Sequence, residues 1–368
     1  MTFVNHRMGP HAFELFDDSK SSREIIRQWW RSCGLPLGMA MCILGGLTML
    51  ARRLGSAVKV VLAVLAAMLA ASSGPTSADQ PPAGRAGGED PDRFLAGAID
   101  IHVHSFPDNT DRSVDGVEAA IMARTHGMRA IVLKNHYDPT AGLAYMVRKQ
   151  VAGLEVFGGV DLNLPVGGMN PAAVEHMTQV SGGYGRVVWM STFDAENQVR
   201  YSKENRPFVS VSRSGELLQA TRDVIAVIAK HGLVLATGHV SSDEGLMLLR
   251  EGKRQGVQHM VVTHAMNAPI LMSVSQMRDA AAQGAFIEFV GGSMRTADAA
   301  ARVDRFADAI RNVGPQFCIL SSDLGQKGNP LPADGFAAFI AALQARGFTD
   351  PELGRMSKQN PATLLGLR

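Results

Sequence analysis

From residue 94 to the C-terminus, short apolar runs alternate with helical patterns eight times. The runs are 98–104, 130–134, 156–162, 186–192, 234–239, 259–264, 286–290 and 317–322. The helical stretches are 114–126, 139–151, 171–180, 215–231, 241–255, 273–283, 297–313 and 333–346, with a small helical pair at the C-terminus. Gly127, Gly232 and Gly256 stop three helices, and Ser273-x-x-Gln276 opens another as a capping box. Continuous apolar strands are buried on both faces and belong to parallel sheets covered by helices. Eight such units predict a (β/α)8 TIM-type barrel, a fold that takes about 250 residues. The alternative is an open, doubly wound sheet. That fold brings a glycine-rich phosphate turn after the first strand, where this chain has His104-Ser105-Phe106-Pro107.

Residues 1–92 stand apart. Stretches 35–50 and 58–71 are apolar, with Arg52-Arg53 between them and a small, polar, Pro/Gly-rich linker at 72–91. Read from Met49, these are the parts of a secretory signal, with small residues near Thr76-Ser77-Ala78 for cleavage. Two other readings are a membrane hairpin, though each run is shorter than the roughly 20 residues a span prefers, and an upstream extension over 1–48. The expectation is an N-terminal signal or membrane anchor followed by a barrel over 93–368. The protein would then be periplasmic, secreted or anchored, or cytoplasmic if the signal does not work.

Composition narrows the function classes. Formal charge is +2, with 36 basic and 34 acidic residues and no basic stripe, which argues against nucleic acid as a partner. The three cysteines, Cys33, Cys42 and Cys318, make neither a disulfide framework nor a Cys-x-x-Cys site.

Barrel active sites lie at the C-terminal ends of the strands. His102 and His104 end the first strand, on one face by the two-residue period, with Asp100 on the same face. Lys134 and His136 end the second strand, Asp161 and Asn163 the third, and Thr192 and Asp194 the fourth. His239, His264, Glu288 and Asp323 come from strands five to eight. Five of the 11 histidines fall at these ends, more than chance placement would give. Neutral imidazoles and carboxylates hold a divalent ion with a position left open for water, and the ion lowers that water's pKa towards 7. Asp323 suits a proton shuttle and equally a direct ligand.

Each residue also has an ordinary reading. His126, His176 and His231 sit on helices and His259 at a strand start, away from the site face. Glu288 is mid-strand and can be a paired core carboxylate. Lys134 either snorkels or touches metal or substrate. Thr192 and Asp194 shape the pocket or cap the next loop. The stretch 193–213 carries Arg200, Tyr201, Lys203 and Arg206. It is a solvated loop, or a lid suited to an anionic substrate, and Arg295 is open to the same two readings.

These residues resemble the amidohydrolase superfamily of metal-dependent hydrolases. The resemblance rests on His102-x-His104, His239, His264 and Asp323 in strand order, and on the closing Asn360-Pro361-Ala362-Thr363-Leu364-Leu365-Gly366-Leu367. It covers 97–368. The first half is also similar to the polymerase-and-histidinol-phosphatase (PHP) branch, through Asp100–Ser105, Lys134-Asn135-His136-Tyr137-Asp138 and Gly158-Gly159-Val160-Asp161. Two features depart from these patterns. Asp323-Leu324-Gly325 lacks the branch's final histidine, and no strand-four lysine or glutamate stands where many amidohydrolases bridge two metals. Asp161 can bridge in its place, which leaves one or two metals open. The chain also resembles a bacterial family of barrel proteins with no established function.

The resemblance implies one or two divalent ions, zinc first and manganese or iron next. The implied ligands are His102, His104, His136, Asp161, His239, His264 and Asp323, and the implied catalytic groups are Asp323, His264 and Lys134. It implies hydrolysis of an amide, lactone or ester-like bond in a small molecule. A phosphoesterase is the alternative if the loop arginines and Lys134 converge on one anion. A metal-assisted decarboxylase or lyase uses the same scaffold, and a non-catalytic solute-binding barrel would keep the pocket without metal.

Overall fold

Valine, isoleucine and leucine dominate the eight apolar runs, and in the computed structural model these runs pair side by side as strands. The structure describes residues 92–295 and 298–368. Strands β1 (Ile99–Val103), β2 (Ala130–Leu133), β3 (Glu155–Asp161) and β4 (Gly185–Trp189) come first. They are followed by β5 (Val234–Ala236), β6 (His259–Val262), β7 (Phe286–Val290) and β8 (Cys318–Ser321). Each pairs in parallel with the next in chain order, in one sheet of eight strands.

The ring closes just past β8. His104 N–H donates to Leu324 O at 2.8 Å and Asp323 N–H donates to His102 O at 2.9 Å. Asp100 completes the seam: its Oδ1 accepts from His102 N–H at 3.1 Å and Ser322 N–H at 3.0 Å. The chain is thus a (β/α)8 barrel, as its strand–helix alternation predicts. Asp100 binds main chain here, not the imidazoles above it.

The helices are α1 (Gly116–Thr125), α2 (Ala141–Gln150), α3 (Pro171–Gln179), α4 (Gln219–His231), α5 (Ser242–Gln255), α6 (Val274–Ala282), α7 (Ala299–Val313) and α8 (Pro332–Gln344). The Ser273–Gln276 capping box forms as expected, and Asp115–Glu118 and Ser241–Glu244 make two more. Helix α4 starts later than its apolar pattern suggests. Ser214 and Gly215 both adopt positive φ, 52° and 82°, and turn Ser212–Arg213 back on Glu216–Leu217 as a short antiparallel hairpin. The stretch 193–213 is not wholly irregular either, because Glu196–Tyr201 is helical.

Two apolar layers hold the barrel. One lies between strands and helices, with Ile131, Leu133, Val188, Leu235, Val262 and Phe289 among its members. The other fills the barrel interior with Ile99, Ile101, Val132, Phe157, Trp189 and Val261, and is completed by Leu364 of the last helix, Asn360–Leu364, and by Leu365 just after it. Asn360 anchors that helix by donating to Pro315 O at 3.0 Å and Cys318 O at 2.7 Å. The closing Asn-Pro-Ala-Thr-Leu-Leu stretch is therefore a structural plug. Each fully buried leucine contributes about 1.5–3 kcal/mol.

The described residues belong to one compact unit. No helix among the described residues is long and apolar enough to cross a membrane. The signal and anchor readings of 35–50, Arg52-Arg53 and 58–71 lie outside the described residues.

Candidate metal centre at the carboxyl end of the barrel

The two histidines at the end of β1, His102 within it and His104 just past it, reach the barrel mouth because the chain changes parity there. Ile99 and Ile101 belong to the interior layer and Val103 to the outer one, with a shift in pairing register between Asp100 and Val103. His102 and His104 then both face the centre, with ring centroids 5.2 Å apart. Gly325 lets the chain past β8 approach them. Its φ is +119°, and a Cβ there would overlap the His104 carbonyl oxygen. Position 325 therefore cannot carry the final histidine of the PHP pattern.

Asp323 lies opposite the pair. Its Oδ1 is 3.3 Å from His102 Nε2 and 3.2 Å from His104 Nε2. Among the described residues, these three form the group whose ligand-type atoms all lie within 4.8 Å of one another. His239 and His264 face each other beside it, Nε2 to Nε2 at 3.2 Å. Two ligands on a tetrahedral ion with bonds of about 2.0–2.1 Å stand about 3.3 Å apart, so these spacings suit shared coordination. His264 (φ +24°) and Asp323 (φ +49°) both sit in a backbone region that non-glycine residues rarely adopt, and such strain gathers at functional sites.

Hydrogen bonds set the proton positions on three imidazoles. His102 Nδ1–H donates to Glu288 Oε1 at 3.1 Å. His239 Nδ1–H donates to Gln198 Oε1 at 2.9 Å, and the Gln198 amide donates to Ser202 Oγ. The Thr192 hydroxyl gives its proton to Asp161 Oδ2 at 3.0 Å and accepts from Asn163 Nδ2 at 2.8 Å, so His136 Nδ1–H is the donor at 3.0 Å. Neutral, all three rings carry their lone pair on Nε2. His104 Nδ1 and His264 Nδ1 are buried and meet no partner among the described residues.

Charge follows from the same surroundings. Burial holds His104 down to about 3 and lowers His136, His239 and His264, which keeps these rings neutral at pH 7 and able to ligate. For His102 burial also opposes charge, but the Asp323 and Glu288 carboxylates outweigh it and raise the pKa. For Asp323 burial is likewise outweighed, by His102, His104 and His264, and the carboxyl is held far below its ordinary range. Nε2 nitrogens converging on an ionised carboxylate together fit a divalent cation.

The β2–β4 side is built differently. Lys134 is fully buried, with Nζ 3.1 Å from Asp161 Oδ2 and 5.4 Å above the Trp189 ring. Burial pushes Asp161 up to about 6, against the pull of Lys134 and Thr192. Asn163 Oδ1 accepts from Ser191 Oγ–H and the Thr192 and Asp194 N–H groups. His136 and Asp161 thus stand in this network, outside the His102–His104–Asp323 group.

The long loop enters the site through residues that its charge pattern does not mark. Phe193 stacks on His136 at 3.6 Å between centroids. Gln198 holds His239, and Asn197 donates to His239 O and Pro269 O. The basic residues stay outside: Arg200 pairs with Glu196, and Arg206 with Asp194 and Glu204. The convergence of loop arginines with Lys134 that would favour a phosphoesterase is absent for Arg200 and Arg206. The Arg295 side chain lies outside the described residues. His231 pairs with Glu175 on the outer helices, and His126 caps α1.

The architecture matches known structures at low sequence identity. An amidohydrolase from Pseudomonas aeruginosa superposes with a TM-score of 0.52 at 13% identity, over 75% of this chain and 99% of that one. A phosphotriesterase homology protein from Escherichia coli, with phosphate in its active site, gives 0.52 at 16% identity, over 74% and 99%. An organophosphorus hydrolase from Deinococcus radiodurans gives 0.51 at 16% identity, over 74% and 94%. These neighbours are members of the amidohydrolase superfamily, and at such identities they establish the shared barrel. No curated protein matches the chain in sequence. Residues 97–288, more than half of the chain, match the Family of unknown function (DUF6282), and the chain belongs to that family.

Proposed function

We propose that the protein is a metal-dependent hydrolase acting on an amide, lactone or ester-like bond of a small molecule. The observation that supports this most directly is the meeting of His102, His104 and Asp323 beside the His239–His264 pair. Those five residues would hold the ion, zinc first by its preference for imidazole. A bound divalent ion supplies Lewis acidity to a water and to the scissile carbonyl. The protein's own residues do the rest. Asp323, ionised and with its side chain 21% exposed against 1% for His102 and His104, meets both solvent and site. It takes the proton of the attacking water and returns it to the leaving group. His264, on its strained turn, steadies the charge that develops on the carbonyl oxygen. Lys134 and Asp161 set the field on the far wall. The names of the neighbours, an amidohydrolase and an organophosphorus hydrolase, agree with hydrolysis. Carbon esters and amides are preferred over phosphoesters because Arg200 and Arg206 are engaged elsewhere. Export or membrane anchoring is proposed from the N-terminal sequence pattern alone.

Elemental analysis of the full chain, purified without chelator or histidine tag, tests the reading alongside His102→Ala/His104→Ala. About one or two ions per chain, lost in the double variant, is the expected result, followed by turnover on an ester, lactone and amide panel. A chain that takes up no zinc, manganese or iron on reconstitution would overturn the proposal and leave a solute-binding barrel.

A further inference from the structure

Glu288 is the single charged residue in the β7 sequence Phe-Ile-Glu-Phe-Val, and it is 2% exposed. Burying a carboxylate there is costly unless donors surround it. Three do, from three other strand ends. Oε1 accepts from His102 Nδ1–H at 3.1 Å and from Ser321 Oγ–H at 2.6 Å. Oε2 accepts from the His264 main-chain N–H at 2.8 Å. With both oxygens occupied by protein donors, Glu288 stands behind the ligand group.

We infer that Glu288 is the positioning residue that assembles the centre, fixing the proton of His102 on Nδ1 and holding the main chain of His264 in its positive-φ turn. This rests on the metal reading for its consequence, though not for its geometry. An ionised carboxylate only accepts, so the imidazole nitrogen facing it must carry hydrogen. The lone pair of neutral His102 then falls on Nε2, towards Asp323 and His104. The same carboxylate receives the N–H of His264, whose φ of +24° needs a local tie to persist. Gln198 and Thr192 orient His239 and His136 through neutral acceptors on one histidine each. Glu288 hydrogen-bonds two of the five histidines from different strands, the ring of His102 on β1 and the main chain of His264 past β6.

Glutamine cannot replace it. An amide offers one acceptor oxygen and one NH2, and the three donors converge on both positions. If the NH2 faces His102, Nδ1 loses its proton and Nε2–H points into the ligand group. If it faces His264, two donors meet and the β6 end must shift.

The test uses the full chain labelled with 15N-histidine, and zinc as the probe. Long-range proton–nitrogen spectra of the zinc-loaded wild type, and of the metal-free chain in alkaline buffer, should show His102 as the Nδ1–H form, assigned with His102→Ala. In Glu288→Gln that signature should move to Nε2–H or broaden, and zinc affinity by chelator competition should fall about 10–100-fold, as for partners that orient ligands. Ser321→Ala removes one donor and leaves both histidine contacts, so it should hold zinc within about 3-fold of wild type, below the range for orienting partners. An Nε2–H His102 in the wild type, or wild-type affinity and spectra in Glu288→Gln, would overturn the inference. The wild-type spectrum decides it even if the variant does not fold. A tautomer that moves in Glu288→Gln, in a chain that never binds zinc, supports the positioning role and overturns the metal reading instead.

Discussion

The two sides of the barrel mouth solve the same problem in opposite ways. On the β8–β1 side, His102, His104 and Asp323 bring ligand atoms face to face, and only a proton or a cation relieves them. On the β2–β4 side, His136, Asn163, Thr192 and Asp161 Oδ2 match donor to acceptor, and Lys134 stands 3.1 Å from that carboxylate as an internal cation, although Lys134 Nζ and Asp161 Oδ1 have no hydrogen-bond partner among the described residues. Both sides are buried, so both carry a high electrostatic cost for any unmatched group. The difference teaches where an outside cation is needed: where lone pairs converge without a fixed positive charge.

Changes confined to one side should separate the two. The largest effect is expected from Asp323→Asn, which keeps a neutral oxygen near the ligand group and removes the base. Turnover should fall about 10²–10⁴-fold, the range of general acid–base catalysis, with bound metal retained by elemental analysis. Unchanged turnover would remove Asp323 from proton transfer. On the other side, Lys134→Met leaves Asp161 buried without its partner. Breaking a buried pair in this way costs about 3–5 kcal/mol, read as a lower urea midpoint, while metal content per chain stays the same. Loss of metal together with stability would merge the two sides into one site.

The smallest effect lies away from the mouth and calibrates the acid response. Hydrogen bonding from Arg254 draws the Glu251 carboxyl, on α5, down to about 2. Its pKa is depressed in the folded chain, so its contribution is present above the unfolded value of about 4.3 and disappears as pH falls from there through about 2. Glu251→Gln should therefore flatten the fall of stability with pH in that window and leave it alone near neutrality. An identical acid profile in the variant would place the acid sensitivity in the barrel mouth.

Much of this was legible in the chain. Seven of the eight apolar runs overshoot their strands by a residue or more because the last inward-facing polar residues lie just beyond the ladder, as with His239 past Ala236 and His264 past Val262. The 286–290 run coincides with its strand. The histidines were legible because strand ends in a barrel share one face. Gln198, Asn197 and Phe193 could not, since a loop has no period that assigns a side chain to a direction. Glu288 was visible as an odd charge in an apolar strand, but its three partners are 24 to 186 residues away along the chain.

By itself the sequence determined the alternation of strand and helix, the barrel that follows from it, and a mouth rich in histidine and carboxylate. Tertiary structure decided which of those groups meet. It placed Asp323 against His102 and His104, diverted Asp161 to Lys134, kept Arg200 and Arg206 out, and gave His102 its proton orientation through Glu288. The physical reason is reach. Periodicity and caps act within a few residues, whereas hydrogen bonds and charge pairing at a barrel mouth act between strands brought together only when the ring closes.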